Sequence, residues 1–117
     1  MRQFIYRIWG IKEKKYVMTA SLYEDPELMP LNEYFKREKY IIEQYTGLDD
    51  IKGTRVFEGD IVKQKIGRKY EYNAVVWESC GWYLNEFPLA MFDDGMIVAG
   101  NIHHHSKLLS TTPRLKP

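Results

Sequence analysis

The sequence predicts a β-dominated fold, mainly strand with minor helix. Three observations carry that reading. Short segments alternate side-chain character with a period of two, turn residues punctuate them at regular short intervals, and aromatic residues are abundant. Aromatics make up 15% of the 117 residues, nine of them tyrosine, and such rings pack well on a pleated surface.

The elements follow in order. In FIYRIWG, residues 4–10, alternation puts Phe4, Tyr6 and Ile8 on one face and Ile5, Arg7 and Trp9 on the other. The polar turn GIKEKK leads to YVMTA, residues 16–20, as the second arm of a hairpin. From residue 24 to 39 the character changes. Prolines at 26 and 30 disfavour a continuous helix, while Leu31, Tyr34 and Phe35 with the trailing KREK predict one or two helical turns begun near Pro30. YIIEQYTG predicts a strand ended by Gly47.

Residues 61–66 and 69–77 then meet across Gly67-Arg68, a hairpin signal. A strand at 81–85 follows, Pro88 falls in a loop, Asp94-Gly95 makes a two-residue turn, and residues 96–102 form the last strand. A short helical turn at 106–109 precedes a fraying tail, 110–117. Short strands in such a series build a small barrel or sandwich. The core should draw on Ile8, Trp9, Ile42, Tyr45, Val56, Phe57, Ile61, Val62, Val75, Trp77, Leu84, Ile97, Val98 and Leu108.

Charge and composition exclude several functions. Seventeen basic and sixteen acidic residues leave a formal charge of +1, so no global field draws nucleic acid or an anionic membrane. Cys80 is the single cysteine, which rules out an intrachain disulfide and a thiolate metal cluster. No apolar run approaches the roughly 18 residues of a membrane span, and the charged start MRQFIYRIWGIKEKK does not read as a signal peptide. The expectation is a soluble, cytoplasmic protein.

The stretch QYTGLDDIKGTRVFEGDIV, residues 44–62, is the densest in glycine and acid. Asp49, Asp50, Glu58 and Asp60 offer oxygen ligands for a cation, yet their spacing matches no calcium loop. Turn chemistry accounts for more of it. Gly47 and Gly53 supply positive φ, Asp49-Asp50 accept bonds from local backbone N–H groups, and Gly59-Asp60 turn the chain so that Ile61 enters the core in register.

This stretch, together with RIWG before it and VVWES, GWYL and VAGNI followed by LL after it, resembles the YopX family of phage and prophage proteins of Gram-positive bacteria. The resemblance runs from Met1 to about Leu109. It implies one domain over 1–109: an N-terminal hairpin with an irregular or helical segment in 1–39, then an SH3-like small barrel in 40–109. It implies no particular reaction, cofactor or catalytic residue. The chain departs from the family pattern at Asp50-Ile51-Lys52-Gly53, where an Asp-Lys-Asn-Gly turn is more usual, and in the three histidines after Ile102.

Three features remain as candidate sites. An extended backbone would put His103 and His105 on one face, where they could share a zinc or copper ion, although an exposed polar connection explains them more simply. Cys80 in ESCGW has no base beside it in the sequence, so turn packing is the expected role. The hairpin at 63–77 is the strongest candidate. Lys63, Lys65, Arg68 and Lys69 surround one turn, and Tyr70 and Tyr72 lead the outgoing strand, with Trp77 falling on the opposite face. Such a surface suits a protein segment or the backbone and bases of a nucleic acid. The sequence therefore predicts a non-enzymatic binding module without cofactor, contacting a host or phage protein. Nucleic-acid binding by the hairpin is the alternative, and a metal protein or enzyme ranks last. Edge strands in a small barrel also leave room for a homo-oligomer.

Overall fold

The computed structural model describes residues 5–21, 38–92 and 95–109. The helical turns predicted near Pro30, the Asp94 half of the predicted turn and the tail from 110 lie outside those residues.

Among the described residues, nine strands form two antiparallel sheets curled into a half-barrel. The first sheet holds β1 (Ile5–Gly10), β2 (Lys15–Ser21), β3 (Tyr40–Asp49) and β4 (Arg55–Phe57) in the order β2-β1-β3-β4. The second holds β5 (Asp60–Ile66), β6 (Lys69–Glu78), β7 (Gly81–Leu84), β8 (Phe87–Pro88) and β9 (Ile97–Asn101) in the order β8-β7-β6-β5-β9. A 3-10 turn at Leu89–Phe92 precedes β9, and another at Ser106–Leu108 follows it. The β-dominated fold and its later barrel-like part are those the sequence predicts.

Local details differ from the expectations. β3 does not stop at Gly47 but runs to Asp49, because a shift in its pairing with β4 between Tyr45 and Asp49 absorbs the glycine at φ +89°. The three-residue β4 is too short to leave an alternating pattern in the sequence. Pro88 is strand rather than loop, on the outer strand of its sheet, where a residue without an N–H is tolerated.

The larger apolar cluster joins Val56, Val62, Val75, Leu84, Leu89 and Met96, and a smaller one joins Ile5, Tyr45 and Phe57. Fully burying an aliphatic side chain of this size contributes about 1.5–3 kcal/mol. Of the expected core members, Ile42 and Ile97 are only half-buried and belong to neither cluster, Ile97 because it stands beside Lys63 on the other face of its sheet, and two more are exposed. Trp77 is 52% exposed, because it sits near the end of β6 beside the hairpin turn, where it packs edge-on against Trp82. Leu108 is 38% exposed, because the last turn docks through its histidines instead.

The acidic loop ties the two sheets. Asp50 Oδ1 accepts from the backbone N–H of Lys52 and Thr54 at 2.9 Å each, and Oδ2 accepts from the N–H of Val98 in β9 at 2.9 Å. Gly53 turns the loop at φ +83°. Tyr45 donates its hydroxyl to Asp49, and burial together with that bond pushes the phenol up to about 12.

Burial raises the Asp50 carboxyl, but the N–H bonds from Val98, Thr54 and Lys52 outweigh it and hold the group below its ordinary value. The ionised form therefore contributes stability above the ordinary carboxylate range, and that contribution is lost as pH falls through the lower folded value. Asp50→Ala is expected to cost about 3 kcal/mol at neutral pH, since it strands three donors. The gap in Tm between the parent protein and the variant should narrow as pH falls below about 4, which thermal melts across pH would check.

Candidate functional site

A polar joint lies where the two sheets meet. Arg7 in β1 stands directly opposite Glu43 in β3, so their side chains share a face. Arg7 Nε donates to Glu43 Oε1 at 2.8 Å, its second arm meets Asp60 Oδ1 at 2.7 Å, and its third group donates to the carbonyl of Glu58 at 3.1 Å. The guanidinium carbon also lies 4.4 Å from the Tyr16 ring centre and 4.8 Å from that of Phe57, so aromatic faces cover the cation.

Tyr16 reaches this site through a bulge. Ile8 pairs with Met18, but Trp9 pairs with Tyr16, so Val17 is the extra residue of β2. Without it, alternation would turn Tyr16 to the other face. The Tyr16 hydroxyl donates to Glu43 Oε1 at 2.8 Å, and burial followed by that bond pushes its phenol far up.

His103 completes the joint from the chain after β9. Its Nε2 is 2.8 Å from Glu43 Oε2, and its ring stacks on Trp9 at 4.2 Å with planes 8° apart. Arg7 thus faces the carboxylates of both Glu43 and Asp60, and His103 faces that of Glu43. Burial raises the Asp60 carboxyl, against the pull of Arg7 and of the Phe57 N–H that donates to Oδ2 at 2.8 Å. Among the described residues no buried side-chain nitrogen or oxygen lacks a partner. The joint is satisfied from within, with each carboxylate oxygen engaged by a neighbour.

The histidines do not come together as a ligand set. The side-chain oxygen of Asn101 accepts from the N–H groups of His103 and His104 at 3.0 and 2.9 Å, which turns the chain where an extended run was expected. His105 Nδ1 instead accepts from the N–H of Asn101 at 3.1 Å. Among the described residues, no three histidine, cysteine or acidic side chains converge on a point where a metal ion could sit. Asp50 and Asp60, both in the acidic stretch, serve separate hydrogen-bond sets. Cys80 is exposed at the β6–β7 turn, which Ser79 and Cys80 form at φ 50° and 63°.

The basic hairpin divides by face. Lys63 pairs with Tyr72 and Lys65 with Tyr70, so these four share the outward face. Lys69 pairs with Ile66 and takes the other side, while Arg68 sits at the turn beside Gly67. Tyr70 is 61% exposed, and the Lys63 ammonium lies 4.7 Å from its ring centre. Ile97 of β9 is paired with Lys63, and Tyr83 of β7 with Val76, which extends the face across neighbouring strands. Trp77 lies on the opposite face, as alternation requires.

Sequence reasoning missed the joint. Arg7, Glu43 and His103 are far apart in the chain, and only the register of β1 on β3 brings the first two together. The available signal was Glu43, a lone acid within the apolar run YIIEQY.

The joint makes a stability prediction. Breaking a buried ion pair from one side costs about 3–5 kcal/mol, so Glu43→Ala should fall in that range. His103→Ala should cost less, about 1–2 kcal/mol, since one bond and one ring contact go. Gly59→Ala should also destabilise, because Gly59 sits at φ +84° and an added Cβ would lie 2.9 Å from Glu43 Cδ. Urea denaturation of the three variants would check the order.

The YopX protein family model matches residues 5–110. No curated protein matches the chain. Among solved structures, the crystal structure of protein EF1440 from Enterococcus faecalis is similar at a TM-score of 0.60 and 18% identity, covering 92% of this chain and 98% of that one. At that identity the likeness speaks for the fold alone. The family match runs over nearly all of the described chain, and the chain belongs to the YopX family.

Proposed function

We propose that the protein is a non-enzymatic binding module, an accessory protein of a phage or prophage that contacts a protein of the host or of the phage itself in the bacterial cytoplasm. The observation that carries this reading is the outward face of β5, β6 and β7. Tyr70, Tyr72, Val76 and Tyr83 line it, with Tyr70 61% and Val76 38% exposed. Exposed aromatic surface with a polar border is the composition of protein-binding patches. A non-enzymatic role is supported by the joint, where Tyr16 and Asp60, both with raised pKa, are held by Glu43 and Arg7.

A second reading, nucleic-acid binding, is favoured by Lys63 and Lys65 lying beside Tyr70 and Tyr72 on one face. The balanced charge and the placement of Lys69 and Trp77 on the opposite side count against it.

The two separate in a capture experiment with immobilised protein and bacterial lysate, run with and without nuclease. The expected result is a protein partner that survives nuclease and is lost with Tyr70→Ala, a variant whose Tm stays that of the parent. Capture of nucleic acid alone, or of partners that vanish with nuclease, would overturn the reading.

A further inference from the structure

Three carboxylates gather at the one guanidinium of the joint. Glu58, Gly59 and Asp60 follow one another along the Glu43 carboxylate, which fills the space a side chain at Gly59 would take. Glu58 is fixed there by its N–H, which donates to the carbonyl of Gln44 at 2.9 Å, and it is half-buried.

Arg7 does not serve all three acids. Its Nε is on Glu43, one amino group is on Asp60, and the other is on the carbonyl of Glu58 rather than on its carboxylate. Every nitrogen of the guanidinium is therefore engaged, and among the described residues the Glu58 carboxylate makes no ion pair. The other titratable and charged groups of the joint are Arg7 of β1, Tyr16 of β2, Glu43 of β3, Asp60 of β5 and His103 after β9. Tyr16 and His103 direct their polar atoms at Glu43. Burial weighs most against a charge on Glu58, the Gln44 N–H favours it, Glu43 repels it and Arg7 attracts it. The balance holds this carboxyl above its ordinary value.

We infer that Glu58 is a proton-operated switch in the joint, taking up a proton in the folded protein under weakly acidic conditions and strengthening the joint by doing so. The protonated carboxyl puts no like charge beside Glu43 and leaves Arg7 to the two carboxylates it already holds. Because folding raises this group, its contribution is full below the unfolded value, about 4.3. The contribution is lost as pH rises through the higher folded value, which is the opposite direction to that of Asp50. The inference is independent of what the module binds.

Glu58→Gln puts an uncharged side chain of the same shape in that place, with an oxygen still able to accept the Gln44 N–H. The test compares thermal melts of this variant and the parent between about pH 4 and pH 8, a range that brackets the ordinary glutamate value. The variant should melt close to the parent at the acid end and about 4 °C above it at the alkaline end. Asp60, whose carboxyl is also raised by burial, is present in both proteins and drops out of the difference. Carbon-13 NMR of the side-chain carboxyl in the parent should place the Glu58 midpoint above about 4.3. A difference in Tm that does not open towards alkaline pH, whatever its sign, would overturn the inference. So would a Glu58 midpoint at or below the ordinary glutamate value.

Discussion

The described structure depends on Arg7. Its side chain leaves the first sheet, crosses to the carboxylate that opens the second, and fills the space between with hydrogen bonds to Glu43, Asp60 and the Glu58 carbonyl. Charges placed there would be costly alone, since a buried ion must recover what it loses in water. Here the planar guanidinium meets one partner on each of its arms, and the rings of Tyr16 and Phe57 lie against it. A lysine could not make these contacts, having one ammonium and no flat face.

The joint and the apolar core divide the labour. The larger core lies mostly within the second sheet, around Val62, Val75 and Leu84, and the smaller one, Ile5 with Tyr45 and Phe57, belongs to the first. Apolar burial holds each sheet compact without strong directional preference. Directed bonds at Glu43 and Asp50 fix how the sheets meet. Glu43 receives Arg7, Tyr16 and His103 from three other segments, and Asp50 receives the Val98 N–H from β9. Gly59 sits between them with no side chain because the Glu43 carboxylate occupies that space.

Much of the fold was legible in the sequence because period-two alternation and turn residues are local signals. Gly53 and Gly59 at positive φ, the Gly67-Arg68 hairpin and Asp60 tying its turn to the Phe57 N–H all follow from neighbours a few residues away. The opposite faces of Tyr72 and Trp77 follow in the same manner. Elements too short to show a period, such as β4 and β8, were not legible. Nor was the joint, because a bulge at Val17 and pairing across dozens of residues decide it, and alternation carries no record of either. Trp77 and Leu108 show the limit of hydrophobicity as a guide. Both are large and apolar, yet Trp77 stands near the end of β6 and Leu108 in the last 3-10 turn, and both stay exposed.

His103 bonds a residue 60 positions earlier in the chain, and Arg7 reaches 36 positions forward to the same carboxylate. Contacts so distant in sequence form late, because the intervening loop must be closed before they return anything. On a ribosome the first sheet can pair its strands while Glu43 still lacks its histidine and Asp60 has yet to find a settled place. The bond set around Glu43 is complete only once the residues after β9 have emerged. The order of synthesis thus makes the last segment of the domain the one that finishes it, and a chain arrested short of His103 would carry a half-answered charge at its centre.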